Sequence, residues 1–177
     1  MLLVGLLPGT GKLRLCLNRT ERDFGQCQVN ALLVMVGRGG CHWPLGRELL
    51  DNRSGNSNAG DRTALLDFCL RVLGPDRVGV GLGDREFVGH AWFKYLRDRG
   101  IFFVMCLPKH HLLTDRHGRR HAGADWGLRP GQYHQLAACQ VDGGWGGAQV
   151  TALAGGEYLF LLGTANGAFL GQFYRKR

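Results

Sequence analysis

The chain has 177 residues and is 45% hydrophobic, enough for one ordinary domain with a real core, which excludes wholesale disorder. A formal net charge of +8 and a pI near 9.6 favour an acidic partner, with nucleic acid first and a membrane surface well behind. No stretch approaches the length of a membrane span, and Pro8 and Gly9 interrupt the apolar opening MLLVGLL before it reaches signal-sequence dimensions.

The positive charge is mostly Arg, whose planar fork suits phosphate. Six cysteines, Cys16, Cys27, Cys41, Cys69, Cys106 and Cys139, are widely spread and form no CxxC pair. That pattern fits free thiols in a reducing cytoplasm better than a disulfide scaffold. Glycine reaches 29 residues, much of it in the second half, where turns and loose loops are expected.

Residues 1–12 read as a short leader. Within it, Pro8-Gly9-Thr10-Gly11-Lys12 looks like a phosphate loop, but Leu6 occupies the first Gly position, Leu13 replaces the Ser/Thr, and a strand follows. That strand is Leu13–Asn18, where Leu13, Leu15 and Leu17 alternate with Arg14 and Cys16 and Asn18 opens a charged turn. Val29–Val36 is a second, nearly continuous apolar run and His42–Leu50 a third strand, which predicts a meander. The turn formers of DNRSGNSNAG make 51–60 a loop.

Asp61–Leu73 then has helical spacing, with Leu65, Leu66, Cys69, Leu70 and Leu73 on one face and Gly74-Pro75 as the stop. Val78–Leu82 is a short buried strand whose C-terminal end presents Asp84. Phe87–Arg99 is a second helix with Trp92, Phe93 and Leu96 inward, and Ile101–Leu107 a further buried strand. From residue 108 to 156 the chain turns rich in His, Arg and Gly, as a β-rich insertion or a loop would. Glu157–Leu162 returns to strand character, and Phe169–Arg177 starts a helix. The order implies an α/β fold, a mixed sheet with helices packed on it.

Two groups of side chains invite chemistry. A carboxylate at the end of a buried strand, as Asp84 would be, can hold a divalent cation at the sheet edge, and it can equally cap the following helix. His110, His111, His117 and His121 share one segment, and the last two have zinc-finger spacing. No cysteine pair accompanies them, so exposed loop histidines in a basic segment are the plainer account.

Four segments in order, LNRTERDFG (Leu17–Gly25), LLDNRSGNSN (Leu49–Asn58), GDREFVGHAWFKYL (Gly83–Leu96) and YRKR (Tyr174–Arg177), resemble the insertion sequence 4 family of DDE transposases. The family pattern is L-D-R-T, then R-G-N-S-N, then D-R-E-F-[IV]-G followed by W-F, and the likeness runs from Leu13 onward. It implies an RNase H-like core (13–107), a β-rich insertion (108–156) and a return to the core at 157–177, with the first and fourth strands neighbours.

In such enzymes two Asp and one Glu hold two divalent cations, here expected as Mg2+, about 3.5–4 Å apart for DNA cleavage and strand transfer. The resemblance gives the metal positions to Asn18 and Asp84, and phosphate contacts to Arg85, Tyr174 and Arg177. Asn18 stands where the family has its first Asp. Tyr174 and Arg177 match the start of the family's Tyr-x2-Arg-x3-Glu-x6-Lys signature, whose Glu would fall four residues beyond Arg177. The expectation is therefore a truncated catalytic domain with its last helix cut short, inactive in transposition. It would be cytoplasmic, would not engage membrane, and would have transposon ends and target DNA as partners. The alternative is a non-catalytic DNA-binding remnant that competes or dimerises with an intact transposase.

Overall fold

Alternating leucines build the first strand. β1 (Leu13–Phe24) leaves Leu13, Leu15 and Leu17 no more than 1% exposed and pairs antiparallel with β2 (Cys27–Arg38), which pairs in turn with β3 (Cys41–Leu49). The computed structural model describes residues 11–38, 41–50, 55–121, 126–164 and 170–174. These fall into two compact units, Met1–Leu82 and Gly83–Arg177.

In the first unit the meander is as expected, but β1 and β2 are longer than their apolar runs. Asn18 does not close β1. It sits at mid-strand opposite Leu33, and the hairpin continues through exposed Glu21, Arg22, Asp23 and Phe24 before it turns. Backbone pairing to β2 carries the strand past the point where side chains stop being buried.

Helix α1 (Ala59–Leu73) buries the expected face, Leu65, Leu66, Cys69, Leu70 and Leu73, and connects the meander to β4 (Val78–Gly83). β4 returns parallel to β1, with Leu15 opposite Gly81 and Cys16 opposite Leu82, so the strand order is β3-β2-β1-β4. Removing each of these leucine side chains from water contributes about 1.5–3 kcal/mol. Lys12 donates to the Asp76 carbonyl at 2.5 Å, in the turn that precedes β4.

The start of α1 uses the Gly55–Asn58 part of the segment expected to be loop. Asn58 Oδ1 accepts from the Asp61 amide at 2.9 Å, and the Asp61 carboxylate accepts from the Asn58 amide at 3.1 Å. This reciprocal cap satisfies two amide donors that the helix start cannot pair. Arg62 is 5% exposed and donates from Nε to Ser57 Oγ at 2.8 Å and from its fork to the Ser57 carbonyl. Asn30, 3% exposed, accepts from Arg19 and donates to the Gly55 carbonyl, and its own carbonyl accepts from the Leu50 amide.

The second unit has strand order β5-β10-β9-β8-β6-β7, formed by β5 (Phe103–Leu107), β6 (Leu113–Asp115), β7 (Arg120–His121), β8 (Tyr133–Val141), β9 (Gly144–Ala152) and β10 (Tyr158–Gly163). β10 pairs antiparallel with β5 and β9, β8 with β9 and β6, and β6 with β7. The β-rich character expected for 108–156 thus takes the form of strands in register with β10. Gly146 marks close packing, since a Cβ there would lie 2.7 Å from the Gly163 carbonyl oxygen.

Helix α2 (His90–Asp98) starts three residues later than its amphipathic pattern suggests, because Phe87 is a buried anchor of the preceding turn and the N-cap is Gly89 at φ 130°. Trp92, Phe93 and Leu96 face inward as expected, with Phe93 stacked on Phe103 at 5.4 Å. Arg97 extends from α2 to donate to the Trp145 carbonyl at 2.7 Å, and burial lowers its pKa. The short helix α3 (Leu170–Tyr174) is docked by fully buried Leu170 and by Gln149 of β9, which accepts from the Gly171 amide at 3.1 Å. All six cysteines are free thiols, and burial pushes Cys69 up to about 12 and Cys139 up to about 11. Among the described residues no helix is long and apolar enough to cross a membrane.

Arg62→Ala removes a buried charged donor and strands the Ser57 hydroxyl and carbonyl. We expect a loss of about 2–3 kcal/mol in unfolding free energy, read from the urea midpoint with the slope unchanged.

Candidate nucleic-acid interface

The residues singled out in the sequence are divided between the two compact units. Asn18 belongs to the first unit. By the two-residue period of a strand it shares a face with Arg14 and Cys16, opposite the leucines, and it is half-buried. It lies two residues past Cys16, the last residue of β1 paired with β4.

Asp84, Arg85 and Tyr174 belong to the second unit. Asp84 follows β4 directly and is half-buried. Its carbonyl accepts from the Phe87 amide at 3.1 Å and its Oδ1 from the Glu86 amide at 3.3 Å, a turn closed partly by its own side chain. Asp84 therefore does not cap α2, which starts six residues later.

Phe87, 0% exposed, anchors this turn from below, and Gly83 makes room for it. A Cβ on Gly83 would lie 2.6 Å from Met105 Sδ and 2.9 Å from Phe87 Cβ. Arg85, at the turn's apex, is exposed. Tyr174 ends α3, half-buried, one residue after Phe173, which packs on Phe102 at 5.3 Å. Arg177 lies outside the described residues.

A two-cation site needs several carboxylates converging on one point. Among the described residues no three His, Cys, Asp or Glu side chains gather in that way. Asn18 offers only a neutral oxygen. Asn18 and Asp84 together would bring a single negative charge to the expected Mg2+ pair.

The four histidines make protein contacts instead. His111 Nε2 lies 3.3 Å from the Asp142 carboxylate, and the His117 ring accepts from Arg116 Nε at 3.1 Å. His110 packs against His111, with ring centroids 5.2 Å apart. His121 bonds Asp115 Oδ2 at 3.1 Å and stacks on Trp126, whose other ring neighbours are His134 and Phe160.

The richest polar arrangement is the hairpin between β6 and β7. Asp115 Oδ1 accepts from the His117 amide at 2.8 Å and the Arg119 amide at 2.9 Å. Its carbonyl accepts from the Gly118 amide and its amide donates to the Arg119 carbonyl. Gly118 has φ +77°, as the αL position of a three-residue hairpin loop requires. The signal for this was in the sequence, since Asp-x-x-Gly favours such a turn. The hydrogen bond from His121, then the two backbone amides, hold the Asp115 carboxyl well below its ordinary value, at about 2. Elsewhere in this unit, Arg97, Gly100, Ile101, Phe102 and Thr164 line a shallow cleft of about 290 Å3.

No family model and no curated protein matches the chain.

Gly83→Ala forces Met105 or Phe87 to move, and we expect a destabilisation of about 1–3 kcal/mol, read as a lowered thermal midpoint. Asp115 has a depressed folded-state pKa, so its stabilisation of the hairpin is complete above the ordinary Asp value near 4 and fades as pH falls towards 2. In an NMR titration the Asp115 carboxyl carbon and the His117 and Arg119 amides should share a midpoint near 2. A common midpoint near 4 would show that these bonds are not formed in solution.

Proposed function

We propose that the chain is an RNase H-like catalytic domain of DDE transposase type whose remaining activity is nucleic-acid binding. The observation that carries this reading is the parallel pairing of β1 with β4 after an antiparallel three-strand meander, with Leu15 opposite Gly81. That is the neighbour relation the resemblance calls for. The segment GDREFVGHAWFKYL adds Asp84 immediately after β4, and the +8 charge adds attraction for a polyanion.

Asn18 favours binding over cleavage. An amide oxygen brings no charge to a cation or to charge developing at phosphorus, and a hard cation is held chiefly by carboxylates. On this reading Asp84 keeps the carboxylate role of the family and Arg85 and Tyr174 contact phosphate. Transposon ends and target DNA are the ligands the resemblance supplies.

The test is a labelled duplex DNA incubated with the full chain in Mg2+ or Mn2+. We expect affinity that falls steeply between 50 and 200 mM salt, by about 10³-fold if six phosphates are neutralised. No cleaved product should form, and Asp84→Asn should leave binding within about twofold. Divalent-dependent cleavage abolished by Asp84→Asn would show an intact nuclease centre. Absence of binding at 50 mM salt would remove the DNA reading altogether.

A further inference from the structure

The resemblance implies phosphate contacts at Arg85, Tyr174 and Arg177, and the β6–β7 hairpin offers a further basic cluster. Its tip carries Arg116, His117, Arg119 and Arg120, all exposed. Among the described residues no carboxylate pairs with the three guanidinium groups. The one acid of the loop, Asp115, turns inward and spends both oxygens on His121 and on the His117 and Arg119 amides.

Local geometry separates Arg120 from His121. Arg120 pairs with Thr114 and His121 with Leu113, so the strand period sends Arg120 to one side of β7 and His121 to the other. His121 stacks on Trp126 at 5.1 Å, and Leu113 is 1% exposed. Through Thr114 opposite Gln140 and Asp115 opposite Cys139, β6 is joined to β8, where Cys139 is fully buried. The arginines thus project from a short, internally braced hairpin at the end of the unit's strand order, not from a loose loop.

We propose that the β6–β7 hairpin is a phosphate clamp, in which Arg116, Arg119 and Arg120 contact the phosphodiester backbone of nucleic acid and Asp115 is the positioning residue that shapes the tip. The inference rests on the DNA-binding reading above and adds the element that does the holding. Three guanidinium forks on a fixed backbone match phosphate oxygens bidentately, and little backbone ordering remains to be done at binding. The contacts go to phosphate, so affinity is independent of base sequence. Edge strands also carry charge simply to discourage sheet-to-sheet pairing, and the experiment below separates the two roles.

Full-length chain is titrated into fluorescently labelled random-sequence duplex DNA at salt concentrations from 50 to 200 mM. Arg116→Gln/Arg119→Gln/Arg120→Gln is compared with Arg22→Gln/Arg71→Gln/Arg129→Gln, which removes the same charge from exposed sites elsewhere. The hairpin variant should lower the log–log salt slope by about 2–3, as three lost phosphate contacts require, and the control by less than one. Asp115→Ala adds a net positive charge, yet it should weaken binding several-fold because the tip loses its brace. A thermal transition within a few degrees of the parent for both arginine variants secures the comparison.

Equal slope changes in the two triple variants, or tighter binding by Asp115→Ala, would overturn the clamp while leaving DNA binding itself standing. Failure of the parent chain to bind DNA would overturn both. In a parallel arm with phosphatidylserine/phosphatidylcholine vesicles, binding lost only in the hairpin variant, without any DNA binding, would reassign the clamp to lipid phosphate.

Discussion

β1 is paired on both of its edges, and the architecture of the first unit follows from that. Its antiparallel partner β2 is reached by a tight hairpin, but a parallel partner cannot be. To lay β4 beside β1 in the same direction, the chain must leave β3, cross over and come back, and α1 is that crossover. The helix must therefore start in the right place. The Asn58–Asp61 cap and the buried Arg62–Ser57 bonds fix its first turn, and Asn30 ties β2 to the Leu50 and Gly55 backbone on either side of the approach. Part of a segment that resembles a transposase motif thus has a plain structural task in this chain.

The second unit relies on different devices. Its strands are held at their ends by side chains that reach across turns. Arg97 reaches Trp145, His90 Nδ1 reaches the Asp142 carbonyl at 2.9 Å, and Gln149 reaches Gly171. The Asp142 turn takes φ +48°, which Asp tolerates better than most residues, and two histidines contact it. Asp115 performs the same kind of service for the arginine-bearing hairpin. In each case a polar group that looks available for chemistry in the sequence is occupied in shaping backbone.

How much of this was legible depended on whether burial left a period in the sequence. Leu65, Leu66, Cys69, Leu70 and Leu73 announced α1, and Ile101–Leu107 announced β5, because one-sided and two-sided burial leave different patterns. The outer half of β1 left none, since Glu21 to Phe24 are exposed and only the ladder to β2 makes them strand. The start of α2 was obscured because Phe87 fits the helical face by spacing but is buried as a turn anchor. In the candidate site, Asp84 was found by its place after a buried strand. The Asp115 hairpin carries an Asp-x-x-Gly turn signal, but a segment of His, Arg and Gly leaves no hydrophobic period to mark β6 and β7 as strands. Asn30 and Arg62 had no signal at all, since a buried polar residue shows itself only through partners distant in sequence.

If the chain binds nucleic acid through a defined surface, that surface responds residue by residue. The most direct measurement is a two-dimensional NMR titration of the isotope-labelled chain with a short DNA duplex. We expect saturable amide shifts concentrated at residues 115–121, with a second set at 84–86 and residues 18 and 30–34 largely still. Shifts that never saturate, or that concentrate on the β1–β2 hairpin, would contradict it.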